Sequence, residues 1–129
     1  AYYKEGEGMK AAEKKCRILW QQIVTLRDGC CVRCGYYLVT GHHVFGRTHN
    51  GSSFEPDSGL SLCVDCHEWS RKCPQEAHNL LRAKIGEERY IYLAELSREV
   101  VRLREADFKA ITVELQKKLE RMKHGIIAA

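Results

Sequence analysis

Two cysteine pairs in the middle of the chain have the spacing of metal ligands. Each pair has the form C-x-x-C, and 28 residues separate the first pair, Cys31 and Cys34, from the second, Cys63 and Cys66. One C-x-x-C turn presents two thiolates, and two such turns can close a tetrahedron around Zn²⁺. Four thiolates leave no open coordination position. We therefore expect a structural zinc whose binding stabilises a small domain.

The other cysteines leave alternatives open. Seven cysteines are an odd number, which argues against a fully paired set of disulfides, and in a reducing compartment such residues are more often metal ligands. Cys30 gives a rival frame with Cys34, but its spacing suits a tight turn less well. Cys16 and Cys73 are interpreted as ordinary thiols. A redox role for C-x-x-C ranks last, because no βαβ pattern surrounds it.

Three of the six histidines lie at positions where they could act together. His42 and His43 are adjacent in a predicted strand, so their side chains point to opposite faces. His67 directly follows Cys66, so a zinc site that closes the hairpin brings His67 near His42. Two neutral imidazoles with water suit a divalent ion that can bind a phosphate oxygen. A third histidine can take a proton from water, because an imidazole titrates at about pH 6.5.

The segments CVRCG, GHHVFGR and SGLSLCVDCH together resemble the HNH endonuclease family, also called ββα-metal nucleases. The resemblance covers residues 16–81 and is closest to small phage and bacterial members that carry an added four-cysteine zinc. It implies that His42 and His67 bind Mg²⁺ or Mn²⁺ and that His43 is the general base. It thus implies a DNA endonuclease that nicks or cuts both strands, in the cytoplasm of a bacterium or a phage-infected cell.

One position departs from the family pattern. The residue before GLSLC is usually Asn, which orients the loop, whereas this chain has Ser58. The Ser58 hydroxyl can replace part of that hydrogen bonding, with a shorter reach. Asp57 beside it could contribute a carboxylate to the ion, and Asn50 in the same loop is a further alternative. The third ligand of the catalytic ion therefore stays open.

DNA contacts are expected from arginines near the histidines. Arg47 lies four residues after His43, and Arg71 lies four residues after His67, which is about one helical turn. Both are candidate phosphate contacts. The alternative function is a zinc-knuckle module that binds nucleic acid or protein without catalysis. It needs only the four cysteines, and it leaves the three histidines unexplained.

Helices and one short hairpin have to position these residues. Apolar residues three and four positions apart predict a helix over residues 9–27. Alternating aromatic and β-branched residues then predict strands, and polar and glycine-rich stretches predict a loop. The predicted elements of the centre are, in order, a strand over 36–45, a loop over 46–58, a strand over 59–63 and a helix over 65–72.

The last third of the chain is predicted to be helical. One short helix ends at Gly86, and neither Gly nor Pro interrupts residues 87–124. The apolar stripe slips in phase between Leu103 and Phe108. Either one long helix drifts, or two helices break near Asp107, with this residue as N-cap. The stripes cover the core or join a second chain, so a homodimer through the C-terminal helices is a candidate assembly.

The length and the net charge of the chain fit this interpretation. A chain of 129 residues suits one domain, and a net charge of +4 permits nucleic-acid binding. No run of about 18 apolar residues is present, so no membrane span is expected. We expect one domain over residues 1–129, mainly α with a small β-hairpin. Its parts are a ββα-metal core over 28–81, an N-terminal helix within 1–27 and a helical extension over 82–129.

Overall fold

A computed structural model describes residues 2–46 and 50–128 of the chain, and side chains within 10–46 and 50–125. Within these ranges the chain forms five α-helices and one two-stranded antiparallel sheet. The elements are α1 (Tyr2–Asp28), β1 (Thr40–His43), β2 (Gly59–Leu62), α2 (Val64–Lys72), α3 (Pro74–Ile85), α4 (Glu87–Ser97) and α5 (Glu105–Ala128). The predicted class, mainly α with a small hairpin, is confirmed.

The centre of the fold is a hairpin followed directly by a helix. β1 pairs antiparallel with β2, in a register that places His43 opposite Gly59. Only Cys63 separates β2 from α2, and its thiol accepts a hydrogen bond from the backbone N–H of Cys66 (3.5 Å). This bond caps the first turn of α2, whose N–H groups have no partner inside the helix. The chain therefore has the predicted order of strand, loop, strand and helix.

The first strand is shorter than predicted. The sequence predicted a strand over 36–45, but β1 contains only Thr40–His43. Tyr36, Tyr37 and Leu38 lie in an irregular segment and are at least half exposed. β2 has four residues and ends where the cysteine cap of α2 begins, so it offers no further pairing positions. Aromatic and β-branched residues favour a strand only where a partner strand is present.

The C-terminal segment breaks into two helices. α4 ends at Ser97 and α5 begins at Glu105, so the phase slip marks a break. Asp107 is not the N-cap itself. It lies in the first turn of α5, and its carboxylate accepts a hydrogen bond from the backbone N–H of Arg104 (2.8 Å). That bond is the reciprocal half of a capping box, in which the third helical residue reaches back to the cap.

Two buried clusters hold these elements together. One joins α1 to α5, and the other lies beneath the hairpin and α3. The first contains Cys16, Leu19, Trp20, Ile23, Val24, Phe108, Leu115 and Leu119. The apolar stripe of α5 is therefore used inside one chain, so homodimerisation loses the observation that suggested it and stays a prediction. No helix in the described ranges is long and apolar enough to cross a membrane.

Candidate functional site

The four cysteines of the two C-x-x-C pairs come together as one cluster. Their Sγ atoms all lie within 4.8 Å of one another, and those of Cys34 and Cys63 are 3.5 Å apart. Tetrahedral zinc with Zn–S bonds of about 2.3 Å requires sulfurs about 3.8 Å apart. The cluster therefore fits a tetrahedral ion. Three of the thiols are buried and Cys34 is exposed.

Backbone hydrogen bonds shape the first cysteine turn. The N–H of Gly35 donates to the carbonyl of Cys31 (2.8 Å), and Gly35 has a φ of +84°, which favours glycine. The N–H of Val32 donates to the carbonyl of Ser61 in β2 (3.0 Å). This second bond fixes the turn beside the start of α2, which carries the other pair. The first turn is thus closed by a hydrogen bond within it, and a hydrogen bond to β2 places it beside the second pair.

The thiols of the cluster differ in acidity. Burial would raise the pKa of Cys31, but backbone hydrogen bonds from Cys34 and Cys63 outweigh it and lower the pKa to about 6. Burial raises the pKa of Cys66 to about 12, against a hydrogen bond from Arg33. Cys66 thus retains a proton at pH 7 that a bound cation would displace, because the ligand form of cysteine is the thiolate.

A cleft of about 650 Å³ lies beside this cluster, between α1, β1, α2 and the segment before α5. His42, His43 and His67 all line it, as does Arg71. His42 faces α2, whereas His43 faces α1, since neighbouring residues of a strand project to opposite sides. The structure therefore brings the three predicted histidines into one cleft but gives them different surroundings.

The first pair of imidazoles has the spacing of two ligands on one ion. The rings of His42 and His67 have centroids 5.2 Å apart and are perpendicular. Two imidazoles that bind one ion at about 2.1 Å have centroids roughly 5 Å apart. Burial, with repulsion from His67 and His78, lowers the pKa of His42 to about 4, so its ring is neutral at pH 7. The Thr40 hydroxyl lies 2.8 Å from Nε2 of His67 and fixes that ring.

The third imidazole is held between an indole and a carbonyl. The His43 ring stacks on Trp20 with centroids 3.7 Å apart and planes 8° from parallel. Its Nε2 lies 3.2 Å from the carbonyl oxygen of Ser53. A carbonyl can only accept, so Nε2 of His43 donates the proton in this hydrogen bond. Trp20 is fixed in turn, because its N–H donates to the carbonyl of Glu55 (2.9 Å).

Ser58 organises the loop between the strands. Its side chain is buried, and its hydroxyl lies 3.0 Å from the carbonyl oxygen of Ser52 and 2.7 Å from that of Glu55. Both carbonyls accept, so the hydroxyl proton is shared within the loop. Ser58 is not among the described residues that line the cleft. The structure thus gives it the loop-orienting part of the role expected for Asn and does not bring it to the histidines.

The other two candidates for a third ligand differ from each other. Asp57 forms an ion pair with Arg89 (3.1 Å) and, within the described residues, lies outside the cleft lining. Asn50 lines the cleft, but its amide oxygen accepts hydrogen bonds from the N–H and the hydroxyl of Ser52 (2.8 and 2.6 Å). Both side chains thus have other partners among the described residues, and neither is assigned as a third ligand.

The two predicted phosphate contacts have different outcomes. Arg71 lines the cleft on the same helix as His67, and its side chain is 77% exposed. Its nearest carboxylate is that of Glu68, at 3.4 Å. Arg71 can therefore reach a ligand in the cleft. Arg47 lies outside the residues that the structure describes.

Sequence reasoning missed two residues of α1 that shape the cleft. Trp20 belongs to the apolar positions that predict the helix over 9–27, and its contact with His43 has no signal in that periodicity. Gln21 holds β1 through both amide atoms, which accept from the N–H and donate to the carbonyl of Gly41 (2.6 and 2.9 Å). The sequence signal that could have indicated this close packing is the glycine at position 41. A Cβ there would lie 2.8 Å from the Trp20 ring, so only glycine fits.

The site thus consists of a four-cysteine cluster that could hold a metal ion and a cleft lined by three imidazoles. Comparison of the chain with known proteins found no matching family model, no matching curated protein and no matching solved structure.

Proposed function

We propose that this protein is a metal-dependent DNA endonuclease of the HNH type. The observation that carries the proposal is the division among three imidazoles in one cleft. His42 and His67 face each other at the spacing of two ligands, while His43 is held separately against Trp20. A metal site with an independent base beside it is what phosphodiester hydrolysis needs.

In this proposal the four-cysteine cluster holds a structural Zn²⁺. The sulfur separations fit zinc, and four thiolates leave no position for a substrate. Two of its cysteines, Cys63 at the N-cap and Cys66 in the first turn of α2, support a role in fixing His67 directly after Cys66. A reducing cytoplasm, where thiols stay free, is the compartment that suits such a cluster.

The proposed reaction uses His43 as the general base. The imidazole of His43 takes a proton from water as the water oxygen bonds to phosphorus, and the bond from phosphorus to the 3′ oxygen breaks. Nε2 stays bound to the carbonyl of Ser53, which stabilises the imidazolium that forms. The products carry a 5′ phosphate and a 3′ hydroxyl, because the leaving 3′ oxygen takes a proton from solvent water. Mg²⁺ or Mn²⁺ on His42 and His67 supplies positive charge against the phosphate when bound.

The proposal is tested with supercoiled plasmid. The protein is incubated with Mn²⁺, Mg²⁺ or EDTA, and nicked and linear products are separated on a gel. We expect cutting with Mn²⁺ or Mg²⁺ and none with EDTA. His43→Ala is expected to abolish it, whereas His124→Ala, an exposed histidine of α5, is the matched control and should leave it unchanged.

Two outcomes would contradict the proposal. One is cutting that persists in His43→Ala, which would point to a contaminating nuclease or a different base. The other is a zinc-loaded protein that binds DNA and never cuts it, which would favour the alternative of a binding module built on the four cysteines.

A further inference from the structure

We infer that α1 forms a wall of the DNA-binding surface, with Lys14 and Arg17 contacting the phosphodiester backbone of a strand that enters the histidine cleft. The inference rests on the proposed function, because it assigns the partner of the same cleft. The sequence analysis placed its main candidate phosphate contacts at Arg47 and Arg71 and gave this helix no part in DNA binding. In the structure, a second face of this helix lines the cleft.

The face of α1 that lines the cleft is distinct from the face that packs on α5. Residues on an α-helix are about 100° apart, so positions three and four residues apart share a face. The cleft face consists of Lys14, Arg17, Ile18, Gln21 and Gln22, with Glu13 at its edge. Cys16 and Ile23 project to the other side and are fully buried in the core. The helix thus supports the core and the cleft at once.

The charge of the lining complements phosphate. Among the described residues that line the cleft, the cations are Lys14, Arg17 and Arg71, and the only carboxylate is that of Glu13. Glu13 pairs with Arg17 at 2.7 Å, and the Arg17 side chain is still 47% exposed. An excess of positive charge around three imidazoles favours an anionic ligand.

The spacing of the cations suits a polymeric anion. Lys14 and Arg17 are separated by about 4.5 Å along the helix axis, and one strand of DNA carries one negative charge per about 3.4 Å. Arg71 approaches the same cleft from α2. Contacts from two elements can position a backbone over the histidines, since phosphate contacts fix register rather than read sequence. We therefore commit to the backbone of DNA as the occupant.

The experiment compares two adjacent lysines of α1. Lys14 lines the cleft, whereas Lys15 is exposed on the same helix and is not part of the described lining. Lys14→Gln and Lys15→Gln remove the same charge from neighbouring positions. Both are made in the His43→Ala background, which keeps the DNA intact. Binding of a fluorescein-labelled DNA duplex is measured by anisotropy across a range of salt concentrations, with circular dichroism as the check on folding.

We expect Lys14→Gln to raise Kd about threefold to tenfold and to reduce the salt slope by about 1. Lys15→Gln should change Kd by less than about twofold. Glu13→Gln should act in the opposite direction and tighten binding, because it removes the carboxylate that competes for Arg17. Equal effects of the two lysine variants would overturn the inference, and so would weaker binding by Glu13→Gln.

These outcomes are separate from those of the proposed function. Selective loss of binding in Lys14→Gln, in a protein that cuts no plasmid with any metal, upholds the DNA surface and rejects the nuclease. Plasmid cutting with equal effects at Lys14 and Lys15 upholds the nuclease and rejects the surface. Tighter binding of RNA of the same sequence, or of a polyglutamate peptide, would overturn the assignment to DNA.

Discussion

The four-cysteine cluster and the histidine cleft lie side by side on the same hairpin and helix, yet they are built differently. Each half of the cluster is closed by backbone hydrogen bonds within a few residues of its own ligands, as at Cys31 and Gly35. The cleft takes His42 from β1 and His67 from α2, and it depends on α1 to hold His43. We therefore expect each half of the cluster to keep its shape after remote changes, whereas the cleft depends on packing between elements.

Removing a cysteine ligand gives the largest expected effect. Cys63→Ser is expected to abolish zinc binding and leave the hairpin unfolded, because metal binding and folding form one equilibrium. Cys30→Ser, outside the cluster, is the matched control and should keep both metal and fold. Zinc content by elemental analysis and thermal unfolding test this. A folded Cys63→Ser protein without zinc would break the comparison, since the cluster would then be dispensable.

Separating ligand from base is the next test. His43→Ala is expected to reduce nicking on the order of 10²–10⁴-fold with metal affinity nearly intact. His42→Ala and His67→Ala are expected to weaken metal binding, so that added Mn²⁺ partly restores nicking. Nicking rates across a Mn²⁺ titration distinguish the two patterns. If His43→Ala needs more Mn²⁺ and His42→Ala does not, the two roles are exchanged.

Trp20 tests whether remote packing controls the cleft. Trp20→Leu removes the ring that stacks on His43, and we expect kcat to fall about 10–100-fold with KM little changed, because a misplaced base loses its geometry. Trp20→Phe keeps an aromatic face and should recover most of kcat. Leu19→Ala is the control, since Leu19 is buried on the same helix. If Leu19→Ala lowers kcat equally, the effect of Trp20→Leu comes from general destabilisation and not from the lost contact with His43.

Asp28 links the end of α1 to β2 and α3, and its substitution has the smallest expected effect. Burial would raise its pKa, but hydrogen bonds from Arg27 and Lys84 lower it to about 2, from 3.8. The N–H of Ser61 in β2 also donates to this carboxylate (3.0 Å). Because the folded-state pKa is the lower one, the stabilisation is present above about pH 4 and is lost as the pH falls towards 2.

Asp28→Asn is therefore expected to lower the free energy of unfolding by about 2 kcal/mol at pH 7 and by little at pH 2. Glu120→Gln, an exposed carboxylate of α5, is the control and should change it by less than about 0.5 kcal/mol. Urea unfolding from pH 7 down to pH 2 measures both. If the loss of unfolding free energy in Asp28→Asn stays constant over this pH range, the stabilisation comes from the shape of the Asp28 side chain and not from its charge.

The parts of the structure that sequence predicted are those with local causes. The spacing of the cysteine pairs identified the cluster, and the order of strand, loop, strand and helix followed from turn residues and periodicity. The strand over 36–45 failed because its length is set by a partner of four residues. The contact between Trp20 and His43 could not be predicted, because helical periodicity gives a buried face and does not say what lies on it.

The glycines beside Trp20 have a consequence for how this protein tolerates mutation. A Cβ at Gly41 or Gly59 would collide with the Trp20 ring, although neither backbone has a positive φ. A methyl group at either position has to displace the indole ring, and the His43 ring stacks on that indole. In a saturation mutagenesis screen for activity, these two glycines would therefore tolerate substitution as poorly as the histidines do. The positions that tolerate no substitution would then include the residues that hold His43 in place as well as His43 itself.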